Sequence, residues 1–210
     1  MDTEWKQYQD KSGIKLFLRP ISGLSFYECK ATTMIDSRIE VLGMVLRNIP
    51  AFTLWLPSCK ESIIVQQFDE NNYITYYIQH APWPFKNRDA VFRVSTTIDW
   101  DLGKVTVSFE AINEPRVRLR DDCVRMSQMK GKWILDYVDR EHTEVTFDIM
   151  SDPGGNVPAF LANMIIKRYP FTALCNLKEM AKKKIYIKSA AESHESVLID
   201  QYVREGKLKK

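Results

Sequence analysis

Side chains able to do chemistry are few and scattered in this 210-residue chain. Its three histidines, His80, His142 and His194, stand far apart. His194-Glu195 is followed by Ser196-Val197-Leu198, so no HExxH helix offers two imidazoles to zinc. Cys29, Cys59, Cys123 and Cys175 show no CxxC spacing and read as reduced thiols of a cytoplasmic protein. There is no GxSxG elbow to raise a nucleophilic serine, and Gly154-Gly155 lacks the spacing of a phosphate-cradling loop. The carboxylates Asp121-Asp122 and Asp99/Asp101 fall in turn-like, solvated segments, whereas a catalytic acid needs a partly buried place. Tyr73, Tyr76 and Tyr77 carry no interleaved Lys or Arg, so the electrostatic part of nucleic-acid binding is missing. The expectation is a protein with no metal, no organic cofactor and no nucleic-acid partner.

What the chain does concentrate is apolar surface at regular periods. From residue 62 to 150 the pattern alternates, with strands expected at Ser62–Phe68, Tyr73–His80, Ala90–Trp100, Lys104–Ile112, Cys123–Met129, Lys132–Val138 and Thr143–Met150. Turn-like breaks separate them, including Asp69 to Asn72, Pro82-Trp83-Pro84, Asp99 to Gly103 and Lys130-Gly131. Short connections make an antiparallel meander. Ala90, Phe92, Val94, Thr96 and Ile98 share a face, as do Val105, Val107, Phe109 and Ala111, and then Thr143, Val145, Phe147 and Ile149. A sheet wet on one side gives this alternation, and its apolar side needs a cover.

The cover is the last long helix. Asp152-Pro153-Gly154-Gly155 makes a sharp turn, Asn156 is a cap candidate, and Pro158 suits the first helical turn. Phe160, Leu161, Met164, Ile165, Tyr169, Ala173, Leu177 and Met180 then recur at helical spacing up to about Lys184, with a kink or break expected at Pro170. Ahead of the meander, residues 2–9 read as a short helix. Strands follow at Ile14–Arg19 and Leu24–Thr33 around an Ile21-Ser22-Gly23 turn. A helix capped by Asp36 or Ser37 runs to Arg47, and a short segment from Ala51 to Leu56 carries Trp55.

Composition fits one soluble domain, at 45% hydrophobic and 27% charged residues with a net charge of +3. The N-terminus lacks a signal-peptide pattern, and no apolar run approaches the ~18 residues of a membrane span. Residues 182–210 hold eight Lys/Arg against four Asp/Glu, with Val197, Leu198, Ile199, Tyr202 and Val203 as their apolar cluster. This basic tail, 185–210, reads as a solvated terminal helix or as a segment that touches a partner or a membrane. Nothing in it sets an oligomeric state.

Three segments carry a family resemblance: Trp55 after the second short helix, Pro82-Trp83-Pro84-Phe85-Lys86-Asn87-Arg88-Asp89 before a strand, and Asp152 to Pro158 before the last helix. In this order the chain resembles a START domain, a member of the Bet v 1-like helix-grip superfamily, over residues 1–184. The resemblance implies an α+β helix-grip fold, a curved antiparallel sheet of about nine strands wrapped around a long C-terminal helix. It implies a non-enzymatic protein that encloses one lipid or similar apolar molecule, with transient membrane contact. A polyketide cyclase or aromatase of the same superfamily is the competing reading, with Tyr77 its best-placed reactive group. A ligand-gated interaction module with the tail as output is a third. Parity and the helical stripe place Phe92, Val94, Phe109, Met126 and Phe147, with Phe160, Leu161 and Met164, around the ligand; parity over Tyr73–His80 is ambiguous, and Tyr77 joins them through the resemblance. Trp55, Arg88, Asp89, Asp152, Gly154 and Gly155 have structural roles, with Arg88 and Asp89 forming an ion pair or turn near Trp55. Trp83 either stiffens its loop or anchors at a membrane.

The resemblance also separates this chain from sterol carriers of the family. Those resemble one another in an acidic residue on the strand before the proline-containing turn and an arginine six positions after the Arg of Arg-Asp. Here Tyr77 and Val94 stand at those places. A buried sterol hydroxyl without a partner costs about 1–3 kcal/mol. In competition between labelled cholesterol and a labelled phospholipid or fatty acid, cholesterol should lose; a cholesterol preference that survives Tyr77→Phe would overturn this ligand reading.

Overall fold

The computed structural model describes residues 4–21, 26–155 and 157–209. The chain opens as a hairpin, β1 (Lys6–Lys11) against β2 (Ile14–Pro20), where a leading helix was expected. Residues 6–11 carry no apolar repeat at helical spacing. Ser12 and Gly13, both with left-handed φ (54° and 70°), return the chain after two residues in the sense that suits strand twist. The Ser22-Gly23 part of the expected turn and Leu24 lie outside the described residues. β3 (Tyr27–Ile35) then leads to α1 (Ile39–Arg47) and a 3-10 helix (Ile49–Leu54). Arg38, not Asp36 or Ser37, sits at the N-cap of α1, and its side chain makes no capping bond because it turns to Glu40 instead.

The remaining strands are β4 (Cys59–Gln67), β5 (Asn72–Gln79), β6 (Asn87–Asp99), β7 (Lys104–Ala111), β8 (Cys123–Arg125), β9 (Met129–Tyr137) and β10 (Thr143–Ser151). They order as β1-β2-β3-β10-β9-β7-β6-β5-β4, antiparallel throughout, with β8 alone parallel to β6. The strand expected over Cys123–Met129 is thus two pieces. β9 also runs straight through Lys130-Gly131, where a turn was expected. Gly131 is there for close approach, since a Cβ would lie 2.4 Å from the Asp148 carbonyl oxygen and 2.6 Å from Cζ of Phe109.

α2 (Ala159–Ala181) covers the sheet. Its 23 residues make a rod of roughly 35 Å that packs on β2, β3, β10 and α1. The Asn156 cap lies outside the described residues; Pro158 occupies the N-cap. Gly154 and Gly155, with φ of +62° and +63°, make the reversal before it, and the Asp152 carboxylate accepts the Gly154 N–H at 2.8 Å. Pro170 lies inside one uninterrupted helix and does not divide it.

Beyond it, α3 (Lys184–Ala191) and α4 (His194–Arg204) fold back on the domain. α3 packs on α1, burying Tyr186 and Ala190, and Ile199 of α4 is fully buried. Arg47 pairs with Glu195, Arg38 donates to Ser196 Oγ at 2.6 Å, and Arg140 meets Asp200 at 3.0 Å. The buried Glu40 accepts from both Arg38 and Arg140, so one carboxylate gathers the cations that hold the tail. The basic segment is therefore two docked helices, although the side chains of Ile185, Ile187 and Val197 stay exposed.

The contact at Gly131 gives a direct test. Gly131→Ala should lower stability by about 1–3 kcal/mol, since neither the facing carbonyl nor the ring can retreat cheaply. A urea denaturation midpoint unchanged from wild type would contradict the close approach.

Candidate ligand cavity

Strand pairing aligns inward side chains in rows across the concave face. One row runs Tyr73, Val94, Phe109, Gly131 and Ile149; the next runs Val107, Trp133 and Phe147. β5 supplies Tyr73, Thr75 and Tyr77 in turn, because alternate residues share a face. Leu46 of α1, Ile49 and Phe52 of the 3-10 helix, and Leu56 close one end, and Tyr169 of α2 closes the top. The space between them is a cavity of about 70 Å³.

Eight of its seventeen lining residues are aromatic. Trp133 stacks on Phe147 with centroids 3.8 Å apart, Phe92 meets Phe109 edge-on at 5.4 Å, and Phe147 lies 6.2 Å from Tyr169. Among the described residues no Asp, Glu, Lys, Arg or His lines it; the polar side-chain groups are the hydroxyls of Ser62, Tyr73, Thr75, Tyr77 and Tyr169 and the indole N–H of Trp133. The Tyr77 and Tyr169 hydroxyls meet at 3.3 Å. Burial pushes both phenols up, and it raises the Cys59 thiol to about 12, so all three are neutral near pH 7. The cavity holds hydroxyl groups able to donate and accept hydrogen bonds.

A second pocket of about 220 Å³ lies beyond, between the β5–β6 connection and the first turns of α2. Arg88, His80, Gln79, Met126, Leu161 and Ile166 are among the residues that line it.

The structure thus gathers Tyr77, Phe92, Val94, Phe109 and Phe147 round the inner cavity, and puts Met126, Leu161 and Met164 in the outer pocket. Phe160 lines neither and is 74% exposed. The inward stripe of α2 is Ala162, Ile166, Tyr169, Ala173 and Leu177, which turns Phe160 outward and leaves Met164 at the rim. Reading the largest apolar side chains at the start of the helix as the stripe missed that Ala162 belongs to it, while Ala173 was expected there. Trp133 and Met129 were missed for a related reason, since breaking β9 at Gly131 hid its parity.

The motif residues have definite partners. Trp55 is buried, edge-on to Trp133 at 5.9 Å, and its carbonyl accepts from Asn176 at 2.6 Å. Arg88 and Asp89 do not pair with each other, because successive strand residues face opposite ways. Asp89 accepts from Arg125 at 2.9 and 3.1 Å and from the Tyr76 hydroxyl at 3.0 Å. Arg88 donates to the carbonyl oxygens of Lys86, Pro153 and Gly154.

A sheet of this order under one long C-terminal helix, hollow between them, is matched by the START domain family model over residues 2–182. The chain belongs to the START domain family. This START domain is 25% identical over 167 residues to the phosphatidylcholine transfer protein of Rattus norvegicus, covering 78% of this chain and 77% of that one. Among solved structures, a StAR-related lipid transfer protein from Xanthomonas axonopodis superposes with a TM-score of 0.78 at 30% identity, covering 87% of this chain and all of that fragment. The Zhui aromatase/cyclase from Streptomyces shares the fold at a TM-score of 0.52 and 10% identity, over 75% of this chain and 94% of that one.

The phenol pair is the testable core of this cavity. Tyr77→Phe and Tyr169→Phe should each cost about 1–2 kcal/mol, and the double variant less than their sum, since either single change strands the other hydroxyl. Strict additivity in urea denaturation would show that the two hydroxyls do not depend on each other.

Proposed function

We propose that this START domain carries or senses one lipid or similar apolar molecule held between the sheet and α2. The observation that carries the reading is the inner cavity itself, lined by apolar and aromatic side chains with no charged one among the described residues. A lipid moving into it from a bilayer exchanges one apolar setting for another. Crossing water unshielded would cost about 0.8 kcal/mol per CH₂. The names of its relatives, a phosphatidylcholine transfer protein and a StAR-related lipid transfer protein, support the same class of ligand. The cyclase reading finds less support: its structural neighbour shares shape at 10% identity, and among the described residues no carboxylate or imidazole lines the inner cavity. Binding without catalysis fits better, and it needs no metal or organic cofactor.

Exchange at a membrane has a surface suited to it. Trp83 is 93% exposed in the connection that frames the outer pocket, and Phe160, Met164 and Ile165 are exposed on the first turns of α2. Aromatic side chains so placed enter the membrane interface readily. Gly154-Gly155 is the hinge on which the start of α2 would lift. Among the described residues no helix is long and apolar enough to cross a membrane. The four free cysteines support a reducing compartment such as the cytoplasm.

Val94→Trp should fill the inner cavity and abolish lipid retention in native mass spectrometry while unfolding stays cooperative. Trp83→Ser with Phe160→Ser should leave retention intact and slow transfer between vesicles. Equal lipid retention by Val94→Trp and wild type would remove the cavity from the mechanism.

A further inference from the structure

The two hollows share β5 and α2 as walls. On β5, Tyr73, Thr75 and Tyr77 line the inner cavity, and Gln79, the next residue on that face, lines the outer pocket. On α2, Tyr169 lines the inner cavity, whereas Ile166 and Ala162, one and two turns earlier, line the outer pocket. The boundary on both elements falls at the same place, the Tyr77–Tyr169 hydroxyl contact of 3.3 Å.

The compartments differ in charge. The outer pocket is lined mostly by apolar groups, and among the described residues no Asp or Glu lines it and Arg88 is its one permanently charged side chain. Arg88 is only 7% exposed, and among the described residues no carboxylate reaches it. Asp89, next in sequence, is turned away and already held by Arg125 and Tyr76. Three of the five guanidinium N–H bonds go to backbone carbonyls, from Nε at 3.2 Å to Pro153, from Nη2 at 3.5 Å to Gly154, and from Nη1 to Lys86. Two N–H bonds, one on each terminal nitrogen, remain for a planar or tetrahedral anion. A buried cation without a counter-charge is costly, and an anion arriving from the mouth would relieve that cost. The same carbonyls belong to the β5–β6 connection and the turn into α2, so Arg88 ties together the two segments that frame the mouth.

We propose that the outer pocket is a head-group site for an anionic single-chain amphiphile, its carboxylate or phosphate held by Arg88 and its chain passing between Tyr77 and Tyr169 into the inner cavity. This rests on the carrier reading above and names the ligand class for it. The two hydroxyls are in contact at 3.3 Å, so the chain enters the inner cavity only where that contact opens. The neutral inner lining takes the chain; the cation takes the head.

The test compares palmitate, methyl palmitate and 1-palmitoyl lysophosphatidate on the full chain by isothermal titration and native mass spectrometry, at mildly alkaline pH where the acid is ionised. Wild type should bind palmitate at least about tenfold more tightly than its methyl ester, as an Arg–anion contact at a desolvated site predicts. Arg88→Gln should remove that preference, with a melting curve confirming the fold. Tighter binding of lysophosphatidate than palmitate assigns the head as a phosphate, and the reverse order as a carboxylate. Because Arg88 also braces the mouth, the acid-to-ester ratio in wild type decides the matter if the variant does not fold. Equal binding of acid and ester by wild type overturns the head-group site alone, as does a preference that persists in folded Arg88→Gln. Binding of none of the three probes, with no lipid retained on purification, overturns the carrier reading and the head-group site with it.

Discussion

An antiparallel sheet that buries one face only must be covered, and α2 is the element long enough to do it. The inward rows of β5, β6, β7, β9 and β10 are apolar from edge to edge, whereas the outward ones carry Arg93, Glu110, Lys132 and Asp148. Burial of that face drives the helix onto the sheet. The helix answers with small residues where it lies close, Ala162 and Ala173, and with an aromatic, Tyr169, where it must reach across to β5. The Tyr77–Tyr169 contact thus joins the far arm of the sheet to the lid at one hydrogen bond, while the space beneath remains unfilled.

Keeping that space uncharged is a second constraint, and strand alternation meets it. Tyr76, Ile78 and Val91 form a separate buried cluster on the opposite face, and Asp89 is satisfied there by Arg125 and Tyr76. Two acid–base networks stabilise the scaffold from outside the cavity: Asp89 with Arg125, and Glu40 with Arg38 and Arg140. Because both lie off the concave face, the ions that order the fold do not polarise the ligand. Arg88 is the exception, and it sits at the mouth rather than inside.

Strand parity made most of this architecture legible. Phe92, Val94, Phe109 and Phe147 needed only alternation to be placed, since a one-residue slip would have turned Arg93 and Asp148 inward. Parity failed where it was interrupted. Lys130-Gly131 looks like a turn locally, yet its glycine answers to the ring of Phe109 on the neighbouring strand, a long-range cause that no local pattern carries. The leading hairpin was hidden because β1 is an exposed edge strand whose side chains bury little. Helical spacing gave the existence of α2 but not its rotation: Phe160 looks like core, and only packing against β3 and β10 decides that Ala162 faces inward. The docking of α3 and α4 likewise depends on Glu40 and Arg47, residues far upstream whose partners sequence spacing does not reveal.

Hollowness is the property furthest from the sequence, because a solid core would produce the same alternation. What decides it is where small residues fall in the inward rows. Gly131 leaves room for the Phe109 ring to lie down against the sheet, Ala31 stands opposite Phe147, and Ala90 opposite Tyr77. The large rings Phe92, Phe109, Trp133 and Phe147 meet one another in stacked and edge-on contacts that fix their orientation. A void lined this way forfeits dispersion contacts that a filled core would have, and the fold bears that cost only because the wall aromatics pack on one another. The interactions that hold the wall rigid are consequently the ones that keep it open, so the stability of the empty scaffold and its capacity for a ligand rest on the same residues.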